Sequence, residues 1–366
     1  MKNKILTMAV ISAMLSGTAV AAGPTLYGKI HTSVDVMDNG GSGDSKYQET
    51  SLNSNASRIG IKGSEDIGDG MRVGYLIEWQ VDMTGDGGDM AIRNRAVTLN
   101  GEFGTFLAGK WDSPMKTLGR KVDLFGDQVG DLRNMTSLNS GIGGVGSVSL
   151  TTIDQRWDNV IQYRTPDMNG LNGTVAYSFD TNTDGVSTGI DNSGDNQDND
   201  AYSFNVMYDR DAYMVGLGYE HTDSNGINST WSEDQKAWRL AASYDITPNL
   251  DILASYTDIN NFGFNKDLDT EVATLGTSYS LGNNKLKLQY AVRDDFNGYS
   301  DTGSKMITVG ADHNMSKRTT IYAAYSRMDN DDMSGNTPWL ASHDTSALGS
   351  FGDDADVLSL GIVHKF

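Results

Sequence analysis

Hydrophobic and polar residues alternate in the last eleven positions of the chain. Successive side chains of a β-strand point to opposite faces, so this alternation predicts a strand with one apolar face. The apolar face comprises Leu358, Leu360, Ile362 and Phe366. The other face carries polar or small residues, among them Ser359, Gly361 and Lys365. Such a strand is either half-buried in a soluble protein or one wall of a membrane channel.

Short alternating segments recur along the chain with turn residues between them, and no sustained helical period appears. This pattern is typical of an all-β protein. The sixteen predicted strands are 25–36, 58–64, 71–82, 92–101, 105–111, 159–165, 172–179, 201–208, 213–221, 237–245, 251–258, 272–279, 285–292, 306–311, 320–327 and 357–366. An even number of strands is typical of single-chain outer-membrane barrels. We therefore predict a 16-stranded antiparallel transmembrane β-barrel, whose last strand closes against its first.

The connections between the predicted strands alternate between tight and long. Tight turns are expected at 67–70, 101–104, 209–211, 247–249, 282–284 and 315–317. Long polar stretches cover 180–200, 222–234, 260–270 and 328–354. Short turns at one end and long loops at the other are typical of a membrane barrel. A soluble sandwich does not require this asymmetry.

The amino terminus has the pattern of a secretory signal peptide. Lys2 and Lys4 precede an apolar run at 5–15, and small residues at 19–22 provide a cleavage site. We predict a signal peptide at 1–21 and a barrel domain at 22–366. No later segment provides the roughly 20 continuous apolar residues that a spanning helix needs, so any membrane span has to be a barrel.

Composition narrows the range of partners. The chain has no cysteine and a formal net charge of -20. Without disulfides, its stability has to come from hydrogen bonding, which a closed sheet provides. The negative charge argues against nucleic acid and favours cations.

Tyrosine and tryptophan residues recur at the ends of the apolar stripes, as expected for side chains at a membrane interface. These residues are Tyr27, Trp79, Tyr163, Tyr177, Tyr219, Trp238, Tyr244, Tyr279, Tyr290 and Tyr325. The alternative is that they form the core of a soluble barrel.

Several segments together resemble the Gram-negative general diffusion porins. The segment 57–70 resembles their second strand and first tight turn, and 25–30, 103–110 and the terminal Phe366 resemble other parts of the family. The resemblance implies a trimeric outer-membrane channel that contacts outer-membrane lipid and lipopolysaccharide and passes small hydrophilic solutes and ions. It also implies that the terminal aromatic residue is read by the barrel-insertion machinery.

The interval from about 112 to 156 is the longest without a strand pattern, and a loop of that length is usually functional. It contains three acidic residues at a spacing of four: Asp123, Asp127 and Asp131. In a short helix they would share one face, while Leu124, Phe125 and Val129 would anchor the loop to the wall. By resemblance this is the third loop, which folds into the lumen as an acidic constriction facing a basic wall. The alternative is an exposed loop with solvated acids.

Strand alternation selects the basic residues of that wall. The predicted set is Arg58, Lys62, Arg72, Arg93, Arg95, Lys110 and Arg164. Arg93 and Arg95 share one face, and because a cation at the bilayer midplane costs about 2–4 kcal/mol, both are assigned to the lumen. Lys110 joins them if Leu107 and Trp111 face outward.

Opposed acidic and basic rows would create a transverse field that filters solutes by size and charge during passive diffusion. Many members of the family have an arginine in the strand after the third loop, where this chain has Gln162. This substitution, together with the negative net charge, predicts mild cation selectivity.

Other chemistry has little support in the sequence. Asp180, Asn182, Asp184 and Asp191 match a calcium-binding loop, but aspartate replaces its final glutamate and no helical pattern flanks it. We therefore expect an acidic loop and no defined metal site. The histidines, which show no metal-ligand spacing, are His31, His221, His313, His343 and His364. No nucleophile elbow, P-loop or zinc motif is found, so neither an enzyme nor a cofactor is predicted.

Two other functions fit the pattern. A sugar- or oligosaccharide-selective porin would place Trp111 or Trp157 in the lumen, although Trp111 falls on the lipid-facing parity. A secreted calcium-binding β-protein, such as an adhesin, would be free of the membrane. A homotrimer would need a flat subunit contact, for which the candidates are Val34, Val36, Leu358 and Leu360.

Overall fold

The structure is a computed structural model, and it describes residues 22–43, 46–85, 90–137, 153–181, 199–224, 232–339 and 349–366. The predicted signal peptide at 1–21 lies outside this part of the chain. The strands are β1 (Ala22–Asp38), β2 (Gln48–Ser54), β3 (Arg58–Gly68), β4 (Met71–Gln80), β5 (Ile92–Gly101), β6 (Gly104–Asp112), β7 (Arg156–Arg164), β8 (Leu171–Ser178), β9 (Ala201–Arg210), β10 (Tyr213–Thr222), β11 (Gln235–Thr247), β12 (Leu250–Asn260), β13 (Thr270–Leu281), β14 (Asn284–Arg293), β15 (Ser304–Asn314), β16 (Thr319–Asn330) and β17 (Ala355–Lys365).

The strands form one closed antiparallel barrel. Each strand from β3 onward pairs with the next, and β17 pairs with β1. On its other edge β1 pairs with both β2 and β3, which are successive parts of one barrel strand. The break between them contains Ala56, whose φ of 50° interrupts the extended backbone. The seventeen segments therefore make sixteen barrel strands, and the predicted fold is confirmed.

The closing seam has the arrangement expected from the terminal strand. Val34 pairs with Leu360, and Val36 pairs with Leu358. The backbone N–H and C=O of Gly28 exchange two hydrogen bonds with Phe366, each 3.1 Å long. All four predicted apolar residues of the last strand are exposed on the outer face, whereas Ser359 is fully buried on the inner face. The seam removes the unpaired edge that an open sheet would expose.

The two rims of the barrel differ as the sequence predicted. Short connections join β3 to β4, β5 to β6, β9 to β10, β11 to β12, β13 to β14 and β15 to β16 at one end, which we call the short-turn rim. The longer connections emerge at the opposite end, which we call the loop rim. Among them, the connection between β12 and β13 contains a 3-10 turn at Phe262–Phe264.

The third loop, which connects β6 and β7, folds into the barrel. Its described parts, 113–137 and 153–155, contain the short helices α1 (Pro114–Gly119) and α2 (Arg133–Thr136). Helix α1 begins at the Ser113 cap, whose side chain accepts a hydrogen bond from the backbone N–H of Lys116. Within the described residues, no helix is both long and apolar enough to cross a membrane.

The core of the protein lies between this loop and the inner wall. Leu118 and Val122 belong to a buried cluster with Met207, Met214, Ala241 and Leu253 of the strands. Phe125, Val129 and Met135 belong to another cluster with inner-facing residues from β1 and β13 to β17. The expected anchoring of the loop by Leu124, Phe125 and Val129 is thus observed, with Leu124 packed against both clusters.

Candidate functional site

Glycines in the wall create space for the apolar side chains of the third loop. A Cβ atom at Gly216 would lie 2.5 Å from Leu118 Cδ1, and one at Gly310 would lie 2.7 Å from Phe125 Cε1. Real side chains do not approach this closely, so glycine at these positions allows the loop to pack against the strands. The loop is therefore positioned by shape as well as by polar contacts.

A buried arginine on β11 joins the two ends of the loop. Arg239 donates from Nη2 to Asp154 Oδ2 at 2.9 Å and from Nη1 to the Met115 carbonyl at 3.2 Å. Its Nε donates to Thr257 Oγ1 at 3.0 Å. Asp154 lies near the end of the loop and Met115 near its start. Arg239 therefore fixes both ends of the loop against the wall.

The three predicted acids come together without a helix. Residues 121–131 form turns, and Asp127 has a left-handed φ of 63°. Its backbone N–H donates to Asp131 Oδ2 at 2.8 Å. Asp123 Oδ1 accepts the Phe125 backbone N–H at 2.9 Å. The segment does not form the short helix that would have put the three acids on one face, because it turns at Gly126 and Gly130 and Gly130 has a φ of 79°.

Asp127 is the centre of the charged cluster and contacts four cations. Its carboxylate lies 2.8 Å from Lys29 Nζ of β1 and 3.6 Å from Arg58 Nη1 of β3. From the loop itself, Arg120 approaches at 3.1 Å and Arg133 at 3.4 Å. Two wall cations and two loop cations therefore share one carboxylate. Despite burial, these cations hold the pKa of Asp127 well below its usual range.

The other two acids lie in different electrostatic environments. Asp131 is fully buried and pairs with Arg133 at 2.6 Å and Arg120 at 3.6 Å. The two guanidinium groups lower its pKa despite burial. For Asp123, burial and the charge of Asp131 raise the pKa to about 7. The loop acids are therefore not an open acidic row, since the arginines of their own loop neutralise much of their charge.

The wall facing the loop carries two further ion-pair groups. Glu78 of β4 lies 2.7 Å from Arg93 Nε and 3.7 Å from Arg58 Nε, and it accepts a hydrogen bond from Tyr27 Oη at 3.1 Å. The second group centres on Asp112, which lies 3.0 Å from Lys116 Nζ and 3.2 Å from Arg156 Nη2. Burial lowers the pKa of Lys116 to about 7.

Three predicted wall residues lie on the inner face without pairing to the loop acids. Lys62 Nζ lies 5.1 Å from the ring centre of Tyr27. Arg72 pairs across β4 and β5 with Asn100 near the short-turn rim. Arg164 pairs with Thr105 and is also near that rim. Together with Arg58 and Arg93, these residues lie on the face that the sequence assigned to them.

Backbone pairing gives Arg95 and Lys110 the outward parity, opposite to the one expected. Arg95 pairs directly with Ile77, whose side chain is exposed on the outer face, and with Lys110 on its other side. Lys110 Nζ forms an ion pair with Asp158 at 2.8 Å. A bulge in β5 reverses the alternation between Arg93 and Arg95. Both cations lie near the loop rim, where an outward charge costs less than at the midplane.

Sequence reasoning missed five cations of the cluster: Lys29, Lys116, Arg120, Arg133 and Arg156. Lys29 could have been found, because the outward parity of Val34 and Val36 places it inside. Arg156 was missed because β7 begins three residues earlier than predicted. The three loop residues have no strand parity, so alternation could not have placed them.

Around Asp127, two arginines are more exposed than the carboxylates that they contact. The side chains of Arg120 and Arg58 are 29% and 24% exposed, whereas those of Asp127 and Asp131 are 11% and 0% exposed. The carboxylates lie beneath the guanidinium groups that they bind. On the lumen side of this group, the two guanidinium groups are therefore more accessible than the two carboxylates.

The two tryptophans that a sugar-selective porin would expose in the lumen are buried. Trp111 and Trp157 pair across β6 and β7 and are 5% and 1% exposed, within a buried cluster. The outward parity inferred for Trp111 and Leu107 was wrong, since both are buried there while Phe106 is exposed. Tyr27, expected at the membrane interface, instead faces Glu78 inside the barrel.

The suggested calcium loop lies mostly outside the described residues. Of its four candidates, only Asp180 is described, and its backbone carbonyl accepts a hydrogen bond from Asn159 Nδ2 at 3.4 Å. Asn182, Asp184 and Asp191 fall in the part of the chain that the structure does not describe.

Comparisons with known proteins agree on one family. The Gram-negative porin family matches residues 6–333. Outer membrane porin protein 32 of Delftia acidovorans is 28% identical over 391 residues, covering 100% of both chains. Major outer membrane protein P.IB of Neisseria meningitidis serogroup A is 26% identical over 315 residues, covering 82% of this chain and 86% of that protein.

Solved structures show the same architecture. An anion-selective porin from Comamonas acidovorans matches with a TM-score of 0.76 and 25% identity, over 94% of this chain and 99% of that chain. The trimer form of OmpT from Vibrio cholerae has a TM-score of 0.65 at 16% identity, over 95% of this chain and 100% of that chain. At that identity the second likeness shows the fold alone.

Proposed function

The chain belongs to the Gram-negative porin family and is a β-barrel of the cell outer membrane, and from this premise we propose a passive diffusion channel that favours small hydrophilic anions. The solute crosses without covalent chemistry and without an energy source. The observation that carries the proposal is the exposed positive charge around Asp127, described above.

The local charge balance differs from that of the whole chain. The constriction contains Lys29, Arg58, Arg93, Lys116, Arg120, Arg133 and Arg156. It contains the carboxylates Glu78, Asp112, Asp123, Asp127 and Asp131. Seven cations therefore face five acids, although the net charge of the chain is -20.

The local balance matters more than the total because selectivity is established where the channel is narrow and its walls exclude water. Salt screens charges farther away than about 8–10 Å, which reduces the influence of acidic loops at the rim. The similar structure from Comamonas acidovorans is described as an anion-selective porin, which points in the same direction. The opposing prediction, made from the net charge and Gln162, is that the channel prefers cations.

Reversal potentials across planar bilayers in a potassium chloride gradient test the proposal. We expect the wild-type channel to prefer chloride and the combined variant Arg58→Ser, Arg93→Ser, Arg156→Ser to lose or reverse that preference. Arg327→Ser is the matched control, because Arg327 lies at the loop rim among Asp329, Asp354 and Asp356. A wild-type channel that prefers potassium would contradict the proposal and support the prediction from net charge.

We also propose that the protein assembles as a homotrimer through the outer face of β2, β1 and β17. Exposed apolar residues form a continuous patch across these paired strands: Leu52, Val34, Val36, Leu358 and Leu360. A symmetric contact between copies would cover this patch. We expect Leu360→Lys to produce monomers in detergent, as measured by light scattering.

The control for this experiment is Leu217→Lys, which places the same charge on the exposed outer face of β10. If both variants, or neither, dissociated, the patch on β1, β2 and β17 would not be the subunit contact.

A further inference from the structure

A histidine and two aspartates meet outside the lumen, at the loop rim where β10 ends and β11 begins. His221 is the penultimate residue of β10, Asp223 follows that strand, and Asp234 immediately precedes β11. By strand alternation His221 lies on the outer face with Leu217, whose side chain is exposed. The group is therefore separate from the charged constriction.

The side-chain atoms of this group converge. His221 Nε2 lies 2.8 Å from Asp223 Oδ1 and 3.5 Å from Asp234 Oδ2. One potential ligand atom from each residue lies within 4.8 Å of the other two. A divalent ion between them would have two carboxylates and one imidazole as ligands, and further positions would be open to water.

Neighbouring residues hold these atoms in place. The His221 ring stacks on Tyr202 with a centroid distance of 4.8 Å and an interplanar angle of 13°. The second oxygen of Asp234, Oδ1, accepts hydrogen bonds from the Ser224 backbone N–H at 3.0 Å and from Ser224 Oγ at 3.1 Å. Asp234 Oδ2 is thereby directed at the imidazole. The stacked ring and the fixed carboxylate supply a preorganised pair of ligands.

The distances suit a small transition-metal ion. Zinc bonds to nitrogen and oxygen of about 2.0–2.2 Å at tetrahedral angles place neighbouring ligand atoms about 3.4 Å apart. The separation of His221 Nε2 from Asp234 Oδ2, 3.5 Å, already matches this value, and the shorter contact to Asp223 has to open by about half an ångström to reach it.

The charge and chemistry of the donors agree with this assignment. A neutral imidazole with two carboxylates has a charge that a divalent cation compensates, and imidazole favours zinc over calcium or magnesium. Lys236 opposes cation binding, because it pairs with His221 across the strands. Its side chain is exposed, however, and a long flexible stem lets the ammonium group move into solvent.

We propose that His221, Asp223 and Asp234 form a zinc-type divalent transition-metal site on the outer surface of the barrel. The ion links the end of β10 to the start of β11 and so holds the base of the loop that connects them. Because the site faces away from the lumen, occupancy is expected to change the stability of this loop base and to leave ion selectivity unchanged.

Titration of zinc chloride into the untagged, detergent-solubilised protein, followed by calorimetry, tests the proposal. We expect saturable binding at one ion per chain. His221→Ala removes a ligand and Asp234→Asn removes the negative charge of another, so each should weaken the affinity by roughly tenfold or more. Cobalt substitution should give the intense visible absorption of a low-symmetry nitrogen and oxygen site, and this absorption should be lost in His221→Ala.

His313→Ala is the matched control, because His313 lies at the short-turn rim, where its Nδ1 contacts Asn284 Oδ1 at 2.8 Å. Heat-modifiable gel mobility verifies that each variant has a folded barrel. The proposal is overturned if zinc does not bind, or if His221→Ala binds it as tightly as the wild type and His313→Ala do.

Discussion

The two halves of the inner wall of this barrel perform different tasks. The part from β9 to β17, with Met37 of β1, accepts the apolar side of the third loop, and its glycines lie opposite Leu118 and Phe125. The half from β1 to β7 carries Lys29, Arg58 and Arg93, which face the charged side of the same loop or its neighbours. One half holds the loop, and the other forms the charged wall of the lumen.

This division explains why a charged loop can be stable inside the barrel. Apolar burial and shape complementarity hold the loop, so its charged groups need not provide all the binding energy. Its carboxylates lie beneath cations from the loop and the wall, as the low exposure of Asp131 shows. Variants on one half should therefore alter loop position, and variants on the other should alter selectivity.

The largest effect is expected at the ends of the loop. Arg239→Met leaves Asp154 without its buried partner, and loss of one member of a buried ion pair costs about 3–5 kcal/mol. We expect the loop to detach from the wall, which should appear as large current fluctuations in single-channel recordings. Arg327→Met, which removes an exposed ion-pair network, is the control and should leave the recordings steady. Steady currents in Arg239→Met would show that packing alone holds the loop.

Substitution of Gly310, which lies opposite Phe125, should disturb the loop nearly as much. Gly310→Val places side-chain atoms where Phe125 lies, and overpacking of this kind costs about 1–3 kcal/mol. We expect the loop to move toward the charged wall and single-channel conductance to fall. Gly173→Ala is the control, because its Cβ would have no neighbour closer than 3.6 Å. Unchanged conductance in Gly310→Val would mean that the loop does not depend on this contact.

The pH dependence of ion selectivity should report the protonation of Asp123. Because burial and Asp131 raise the pKa of Asp123 to about 7, lowering the pH from 8 to 6 protonates it and makes the constriction more positive. Chloride preference should therefore increase. The folded pKa exceeds the unfolded one, so the stability gained from this proton is present at low pH and is lost as pH rises through about 7.

Lys116 binds a proton in the same interval, because burial lowers its pKa to about 7. Asp123→Asn should thus reduce the change in reversal potential, and Asp123→Asn combined with Lys116→Met should reduce it further. Persistence of the full change in the double variant would assign it to other groups.

The smallest effect is expected at the short-turn rim. Arg156 and Arg164 begin and end β7, and the eight residue-to-residue steps between them span about 26 Å. Since salt screens charges over about 8–10 Å, Arg164→Ser should shift the reversal potential much less than Arg156→Ser does. Equal shifts would place the selective region nearer the short-turn rim than Asp127.

Much of the barrel could be predicted from local patterns. Strand alternation gave the apolar outer face of the last strand, and the turn residues gave the tight connections of the short-turn rim. The acids at 123, 127 and 131 were recognised by their spacing, but the cations that pair with them were not. Lys29 and Asp127 are separated by 98 positions, so no local pattern relates them.

Alternation also fails wherever a bulge intervenes. Arg93 and Arg95 have the same parity in the sequence, yet the irregularity in β5 places them on opposite faces. The same limit applies to His221, which is close to Asp223 in sequence but meets Asp234 only because β10 and β11 are paired.

The sequence by itself determined the strand number, the outer face of the last strand and the closing seam, because a period of two residues and turn chemistry are local properties. Only the tertiary structure decided which charges are neutralised and which remain exposed in the lumen. That outcome depends on contacts among β1, β3, β4 and the third loop, whose residues are distant in sequence. Around Asp127 the more exposed side chains are therefore arginines, despite the negative charge of the chain.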